Sequence, residues 1–266
     1  MILDTIVADK KIRLKEHKAK ISLSDMRRMA EERKEPSPSF LAGLQKPGIS
    51  IIGEFKKASP SLGNIKSRIK LTDRIEEYNA SVECISCLTE EDHFLGSIDY
   101  LEEIRAISPL PILRKDFMID EYQFYEAKAF GANAILLITG ILDDAQMKDF
   151  YQLTEELGLD ALFEAHTEEQ MDRALNTGAK IVGVNNRDLR DFTIRLDTTK
   201  RLSKLVPADR VFVAESGIVG DADVEFLAEC RVDAFLIGRA FMESENPCEL
   251  AKHWKEIFLQ AERKKL

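Results

Sequence analysis

From residue 50 onward the chain alternates between short, nearly continuous apolar runs and longer amphipathic stretches. The apolar runs are ISIIGEF (49–55), VECISCL (82–88), LPILRK (110–115), NAILLIT (133–139), DALFEA (160–165), KIVGVN (180–185), RVFVAE (210–215) and DAFLIG (233–238). Such runs, lacking strict alternation, fit parallel strands covered on both faces. Between them lie stretches such as DDAQMKDFYQLTEELG (143–158) and TEEQMDRALNTGA (167–179), whose apolar residues recur at helical spacing. Gly131–Ala132 and Gly178–Ala179 precede strands, and a glycine just past a helix is a usual cap. Eight strand–helix units in one chain predict an α/β fold, a closed (β/α)8 TIM barrel. The rival is a doubly wound open sheet, which usually has fewer strands and a glycine-rich first turn. Here the first run leads into EFKKASPSLG, with no GxGxxG.

Residues 1–47 break this rhythm. They are rich in Lys, Glu and Arg, with Ile2, Leu3, Ile6, Val7, Ile12 and Leu14 at helical spacing. Ser24 with Asp25 is the expected cap of a second helix, and SPSFLAGL (37–44) reads as a short third one. We therefore expect one barrel domain over 1–266, of which 1–47 is a helical N-terminal extension.

The length of 266 residues suits one barrel, and a hydrophobic fraction of 44% supplies its core. A net charge of −9 disfavours nucleic acid and anionic membranes, although a pocket can still be locally basic. The N-terminus lacks the apolar core of a signal peptide, and no run is long enough to span a bilayer. These readings lead us to expect a cytoplasmic monomer. Cys84 and Cys87 form a CxxC, but residues three apart on a strand face opposite sides and do not chelate one ion together. With Cys230 and Cys248 they read as reduced structural thiols, and no metal is expected.

In barrels of this kind the site lies at the C-terminal strand ends. Those ends carry Glu54 and Lys56 (first run), Lys115 flanked by Arg114 and Asp116 (third), Glu164 (fifth), Asn185, Asn186 and Arg187 (sixth), Glu215 (seventh) and Arg239 (just past the eighth). One strand-end charge is as easily a solvated group as a functional one. Glu54, Lys56, Lys115, Glu164 and Glu215 together are harder to explain that way. Ammonium and carboxylate groups crowded in a half-buried mouth shift each other's pKa values, which suits acid–base chemistry. Ser216–Gly217 after the seventh run, and Gly238 after the eighth, occupy the usual phosphate-binding position. The segment KKASPSLGNI (56–65) is either a lid or a plain surface connection, and its length alone favours the latter. His93 and His166 lack metal-ligand spacing and read as hydrogen-bonded or solvent-facing. Trp254 reads as packing, and Glu90–Glu91–Asp92 as a solvated run. No cofactor motif is evident.

The motifs IIGEFKKASPSLGNI, LRKDFMID, FEAH, GVNNRDL and AESGI, in this order and spacing, resemble those of the indole-3-glycerol-phosphate synthase family. The resemblance runs from about Ser50 to Met242. It implies a carbon–carbon (carboxy-)lyase of tryptophan biosynthesis that uses no cofactor. Its phosphorylated small-molecule substrate is 1-(2-carboxyphenylamino)-1-deoxyribulose 5-phosphate, which undergoes ring closure, decarboxylation and dehydration. By resemblance Lys115 is the general acid at the ketone, and Glu164 is the carboxylate that stabilises the iminium and acts in dehydration. Lys56 contacts the substrate carboxylate or phosphate and supplies a later proton. Glu54, Asn185 and Glu215 orient and tune these groups. Ser59, Pro60 and Arg187 bind substrate, and Phe94 and Phe117 pack on the anthranilate ring. Ser216, Gly217, Gly238 and Arg239 align with the phosphate cradle, joined there by Lys56. Arg239, the segment CLTEEDHF and Gly53 depart from the usual family residues, with expected effects on packing more than on reaction type. The alternatives are another phosphate-binding barrel, such as phosphoribosylanthranilate isomerase, or a non-catalytic binding barrel.

Overall fold

The computed structural model describes residues 2–34, 38–59, 63–64, 69–188 and 190–264. Eight parallel strands close into a barrel: β1 (Ser50–Phe55), β2 (Cys84–Leu88), β3 (Ile112–Lys115), β4 (Ala134–Ile138), β5 (Asp160–Ala165), β6 (Ile181–Asn185), β7 (Val211–Glu215) and β8 (Ala234–Ile237). Neighbours in sequence are neighbours in space, and the register Ile51↔Phe235 and Ile52↔Cys84 ties β1 to β8 on one side and β2 on the other. Every apolar run in the sequence became a strand, all but 160–165 trimmed by a residue or two at the ends.

Pleating divides each run between two cores. Ile52, Cys84, Leu113, Leu136, Leu162, Val213 and Leu236 fill the barrel interior. Their strand neighbours, among them Ile51, Ile85, Ile135, Phe163, Phe212 and Phe235, face the surrounding helices. Cys84 and Cys87 fall on opposite sides of this division, and all four cysteines are free thiols. Gly53 on β1 admits the Tyr78 ring, since a Cβ there would stand 3.0 Å from it. Tyr78 in turn donates its hydroxyl to the Glu54 carbonyl at 3.1 Å. Trp254 is a packing residue, stacked on Phe241 and donating its indole N–H to Asp221 at 3.0 Å.

The N-terminal region forms three helices, α1 (Ile2–Lys20), α2 (Leu23–Glu32) and α3 (Phe40–Leu44). The α2 cap is Ser22, which accepts from the Asp25 N–H, rather than Ser24. Ser22 lies immediately before the first helical residue, where a side-chain oxygen reaches the unpaired first-turn donors. Helix α3 plugs the N-terminal end of the barrel. Phe40 and Leu44 are fully buried there, and Asp160 at the start of β5 accepts from Leu41 N–H at 3.0 Å.

Helix α1 is bound to the opposite, C-terminal rim by charge. Lys10 Nζ lies 2.8 Å from Asp116 Oδ1, and both side chains are almost completely buried. Asp116 also receives Thr89 Oγ1 at 2.8 Å and the Arg114 guanidinium at 3.2 Å. Burial opposes the Asp116 charge, but Lys10 and Arg114 outweigh it and hold its pKa down at about 2. Of the Glu90–Glu91–Asp92 run, read as solvated, Glu91 and Asp92 do reach the surface but Glu90 does not. Glu90 is fully buried and accepts from the N–H groups of Asp92, His93 and Phe94. Asp92 pairs with Arg13, and Glu91 with His17. None of the helices among the described residues is long and apolar enough to cross a membrane.

His17 provides a test of this docking. Its two ring nitrogens face Glu91 at 2.8 Å and Glu126 at 3.3 Å, so both must donate and the ring is an imidazolium. Hydrogen bonds that it donates to Glu126 and Glu91 raise its pKa to about 9. A raised histidine stabilises the fold fully below its unfolded value of about 6.5, and that contribution fades as pH rises through about 9. Unfolding free energies of wild type and His17→Gln from urea titration are therefore expected to differ at pH 6 by roughly 2 kcal/mol and to converge by pH 10. A gap independent of pH would show that His17 is not charged in the fold.

Candidate active site

The C-terminal mouth of the barrel is a cavity lined by Glu54, Lys56, Lys115, Glu164, Asn185 and Arg187 on its polar side. Leu136, Ile138, Leu236, Phe94 and Phe117 form an apolar wall. The Phe94 and Phe117 ring centroids are 6.1 Å apart. Ser216, Gly217, Gly238 and Arg239 complete the lining on the β7–β8 side. Strand pleating explains the convergence. Lys115 points inward from the end of β3, whereas its neighbour Arg114 points outward to Glu126 and the Gln123 carbonyl.

Lys115 sits between two carboxylates, with Nζ 2.6 Å from Glu215 Oε2 and 3.3 Å from Glu164 Oε2. Burial disfavours its charge, but Glu215, Glu164 and Glu54 reverse that penalty and push its pKa well above the ordinary lysine value. The two carboxylates do not fare alike. Glu164 has further partners in His166, whose Nε2 lies 3.1 Å from Oε1, and in Asn185. Burial pushes against its charge, yet Lys115 and these partners hold its pKa below the usual carboxylate range. Glu215 is 1% exposed, and its Oε1 has no hydrogen-bond partner among the described residues. Burial and the nearby Glu164 push its pKa up, against the pull of Lys115. One ammonium cannot fully neutralise two buried carboxylates, so the carboxylate with fewer partners holds its proton more tightly.

Lys56 pairs with Glu54 at the end of β1. Arg187 is held below an arginine's ordinary value by burial, opposed by Glu54, and lowered further by Arg239. Arg239 directs its guanidinium along its own helix to Glu243 at 3.0 Å, so its side chain is already occupied at the rim. Ser216 and Gly217 are consecutive left-handed residues, with φ of 63° and 83°. A non-glycine residue in that region is strained, and such strain tends to concentrate at functional sites. Gly238 lets the chain pass directly over Lys56, because a Cβ there would lie 2.7 Å from Nζ.

Of the residues singled out from the sequence, Glu215 lies beneath Lys115 rather than on the cavity surface, and the other four strand-end charges line the mouth. Ser59 belongs to a short antiparallel hairpin, Ala58–Ser59 against Gly63–Asn64, of which its backbone is described. Pro60 lies outside the described residues. Two contributors escaped the sequence reading. His166 is half-buried and bonded to Glu164; lying two residues beyond it on the same strand end, it shared the strand's two-residue period as a signal. Gly183 on β6 makes room for Glu215, since a Cβ there would stand 2.5 Å from Oε1. Nothing in the sequence distinguished it from any other strand glycine.

A closed parallel barrel with an acid–base cluster in its mouth, and glycine turns after β7 and β8, defines a (β/α)8 enzyme for a phosphorylated small molecule. A family model described as indole-3-glycerol phosphate synthase matches residues 3–253. The chain is 52% identical over 269 aligned residues to indole-3-glycerol phosphate synthase of Lachnospira eligens, covering 99% of this chain and 100% of that one. It is 44% identical to that of Acetivibrio thermocellus, over 97% and 100% of the two chains. The chain belongs to the indole-3-glycerol phosphate synthase family, and it is a carboxy-lyase that forms indole-3-glycerol phosphate in tryptophan biosynthesis. Among solved structures, 3-hexulose-6-phosphate synthase from Salmonella typhimurium superposes with a TM-score of 0.63 at 14% identity, over 80% of this chain and 100% of that one. Thiamine phosphate pyrophosphorylase from Pyrococcus furiosus gives 0.60 at 12%, over 80% and 96%. At such low identity these two speak for the fold alone.

Gly183→Ala is expected to displace Glu215 and, with it, Lys115. We predict a fall in kcat of at least about tenfold, the effect of roughly 1.4 kcal/mol in transition-state stabilisation, with the far-UV circular dichroism unchanged. Undiminished kcat would mean that Glu215 accommodates the methyl group and that its position is not critical.

Proposed function

We propose that Lys115 is the general acid of ring closure, protonating the ketone oxygen of 1-(2-carboxyphenylamino)-1-deoxyribulose 5-phosphate as the aromatic carbon attacks. Attack leaves a cationic iminium, and Glu164 is the anion placed to stabilise it. Loss of carbon dioxide then returns the electron pair and restores the aromatic ring. In the dehydration that follows, Glu164 takes part in proton removal and Lys56 supplies a proton to the departing hydroxyl. Glu54, Asn185 and Glu215 hold these groups in place and tune them. Glu54 does so by pairing with Lys56, and Glu215 by holding Lys115 protonated.

The observation that carries this reading is the position of the Lys115 ammonium. It is kept charged by two buried carboxylates while facing an apolar wall suited to an aromatic ring. An acid facing such a wall meets a ketone attached to an arylamine. Phe94 and Phe117 are the aromatic groups assigned to the anthranilate ring. Arg187, Ser59 and Pro60 belong to the same substrate-binding assignment. The phosphate is assigned to Ser216, Gly217 and Gly238 with Lys56 and Arg239. Their support is the left-handed turn at Ser216–Gly217 and the close passage of Gly238 over Lys56. For Arg239 the support is restricted to its backbone, because its guanidinium is engaged by Glu243. The same reading makes the chain a cytoplasmic monomer with a single barrel domain over 1–266, residues 1–47 being the helical extension. The acidic net charge and the lack of a long apolar helix among the described residues agree with a water-facing exterior.

Lys115→Met keeps the length of the side chain and removes the proton. Turnover, followed by fluorescence of the indole product, is expected to fall by roughly 10²- to 10⁴-fold in kcat, the range for loss of a general acid, with a much smaller change in KM. Near-wild-type kcat in a folded Lys115→Met protein would refute the assignment.

A further inference from the structure

We infer that His166 is a positioning residue for the reaction: its Nε2–H donates to Glu164 Oε1 and keeps that carboxylate ionised and oriented while Lys115 turns to the substrate. The inference rests on the role given to Glu164 above. In the free enzyme Glu164 divides its two oxygens, with Oε2 facing Lys115 at 3.3 Å and Oε1 facing His166 at 3.1 Å. The side chain of Glu164 is 2% exposed and that of His166 18%. A carboxylate this buried needs a partner for each oxygen if it is to stay ionised. As the general acid moves toward the ketone, Oε2 loses its ion pair at the stage when a cation is developing on the substrate. A Glu164 that then took up a proton would offer that cation nothing. The bond to His166 remains through this step, and it is made by a residue with no assigned contact to substrate.

The local structure holds the imidazole for this task. β5 ends at Ala165, one residue beyond Glu164, and His166 leaves the strand on the same side as Glu164. Its backbone N–H is anchored by Gln170 Oε1 at 2.8 Å, from the first turn of the helix that follows β5 (Glu168–Asn176). The charged groups that act on the ring come from three elements: Glu164 on β5, Glu215 on β7 and Asp188 in the loop after β6. All three are acidic. Asp188 is itself bound by Arg190 at 2.6 Å, so Glu164 is the acceptor nearest the ring. Burial disfavours the imidazolium, but these carboxylates outweigh it and raise the pKa above the ordinary histidine value. The comparison with Glu215 is instructive. Both carboxylates touch Lys115, yet Glu215 has no partner on its second oxygen among the described residues and its pKa is pushed up, whereas that of Glu164 is held down.

The test is a double-mutant cycle with pH profiles of kcat, using His166→Ala, His166→Gln, Glu164→Gln and the His166→Ala/Glu164→Gln pair. His166→Ala should lower kcat by about tenfold or more and leave KM within about twofold. Removing a donor raises the pKa of Glu164, so the acidic limb of the profile should move up by about one unit. His166→Gln can still donate a neutral N–H, and should recover much of kcat at neutral pH while leaving the limb displaced. In the Glu164→Gln background the alanine change should have little further effect. Additive losses, or an unmoved acidic limb in a folded His166→Ala enzyme, would overturn the inference while leaving the role of Glu164 standing. Full activity in Glu164→Gln alone would instead overturn the reading of Glu164 on which it rests.

Discussion

Lys115 sits between Glu215 and Glu164 with too little countercharge for both of them, and the chemistry of the mouth follows from that imbalance. Three charged groups on three strands are held together out of water. An isolated ammonium at this depth would lose its proton, and an isolated carboxylate would gain one. The two carboxylates keep Lys115 charged and Lys115 favours the charged form of each, while the carboxylates oppose one another, which makes the arrangement sensitive to geometry. The barrel supplies that geometry by placing the ends of β3, β5 and β7 around one axis. Gly183 leaves room beneath the cluster for the Glu215 carboxylate. The asymmetry between the two carboxylates then separates their work. Glu164, with Lys115, His166 and Asn185 as partners, is favoured as an anion, the form that the proposed mechanism sets against a developing cation. Glu215, with one among the described residues, stays beneath the lysine, and in the proposed mechanism it governs the lysine's acidity.

The N-terminal extension contributes in a way its sequence does not advertise. Helix α3 closes the bottom of the barrel with Phe40 and Leu44. Helix α1 lies across the top, where Lys10 enters a buried network with Asp116, Thr89 and Arg114. Arg114 and Asp116 flank Lys115 in the chain. The same two-residue period that turns Lys115 inward turns both of them outward, into contact with the helices. The backbone that carries Lys115 is thus fixed from outside by ion pairs, at least one of which reaches into the extension. Removing one member of a buried pair of this kind typically destabilises by about 3–5 kcal/mol, so α1 acts as part of the site's support.

The barrel was legible in the sequence because parallel strands buried on both faces read as apolar runs, and such runs are hard to mistake once eight recur between amphipathic stretches. Glu54, Lys56, Lys115, Glu164 and Glu215 were legible for a related reason: charge at the end of an apolar run is conspicuous. Partnerships between distant segments were not. Glu90 looked solvated because its acceptors are satisfied by backbone N–H groups in a turn, and Glu91 and Asp92 looked unpaired because their partners lie on α1. Ser22 and Ser24 are equivalent by composition, and only the position of the first helical turn decides between them. His166 was set aside for want of metal-ligand spacing, although its separation of two from Glu164 already placed both on one face of a strand. Gly183 carried no signal, because the need for a missing Cβ arises from a side chain on the neighbouring strand.

The account turns on the claim that Glu215 sets the acidity of Lys115. The most direct measurement is the pH dependence of kcat/KM for wild type and Glu215→Gln, with folding followed by circular dichroism at each pH. In the proposed mechanism Lys115 is the acid, so activity is lost as pH rises through its pKa. Glu215 raises that pKa, and removing its charge must lower it. The account predicts that the basic limb in Glu215→Gln lies at least about one unit below that of wild type, as expected for loss of a close opposite charge. Superimposable basic limbs in two folded enzymes would contradict it.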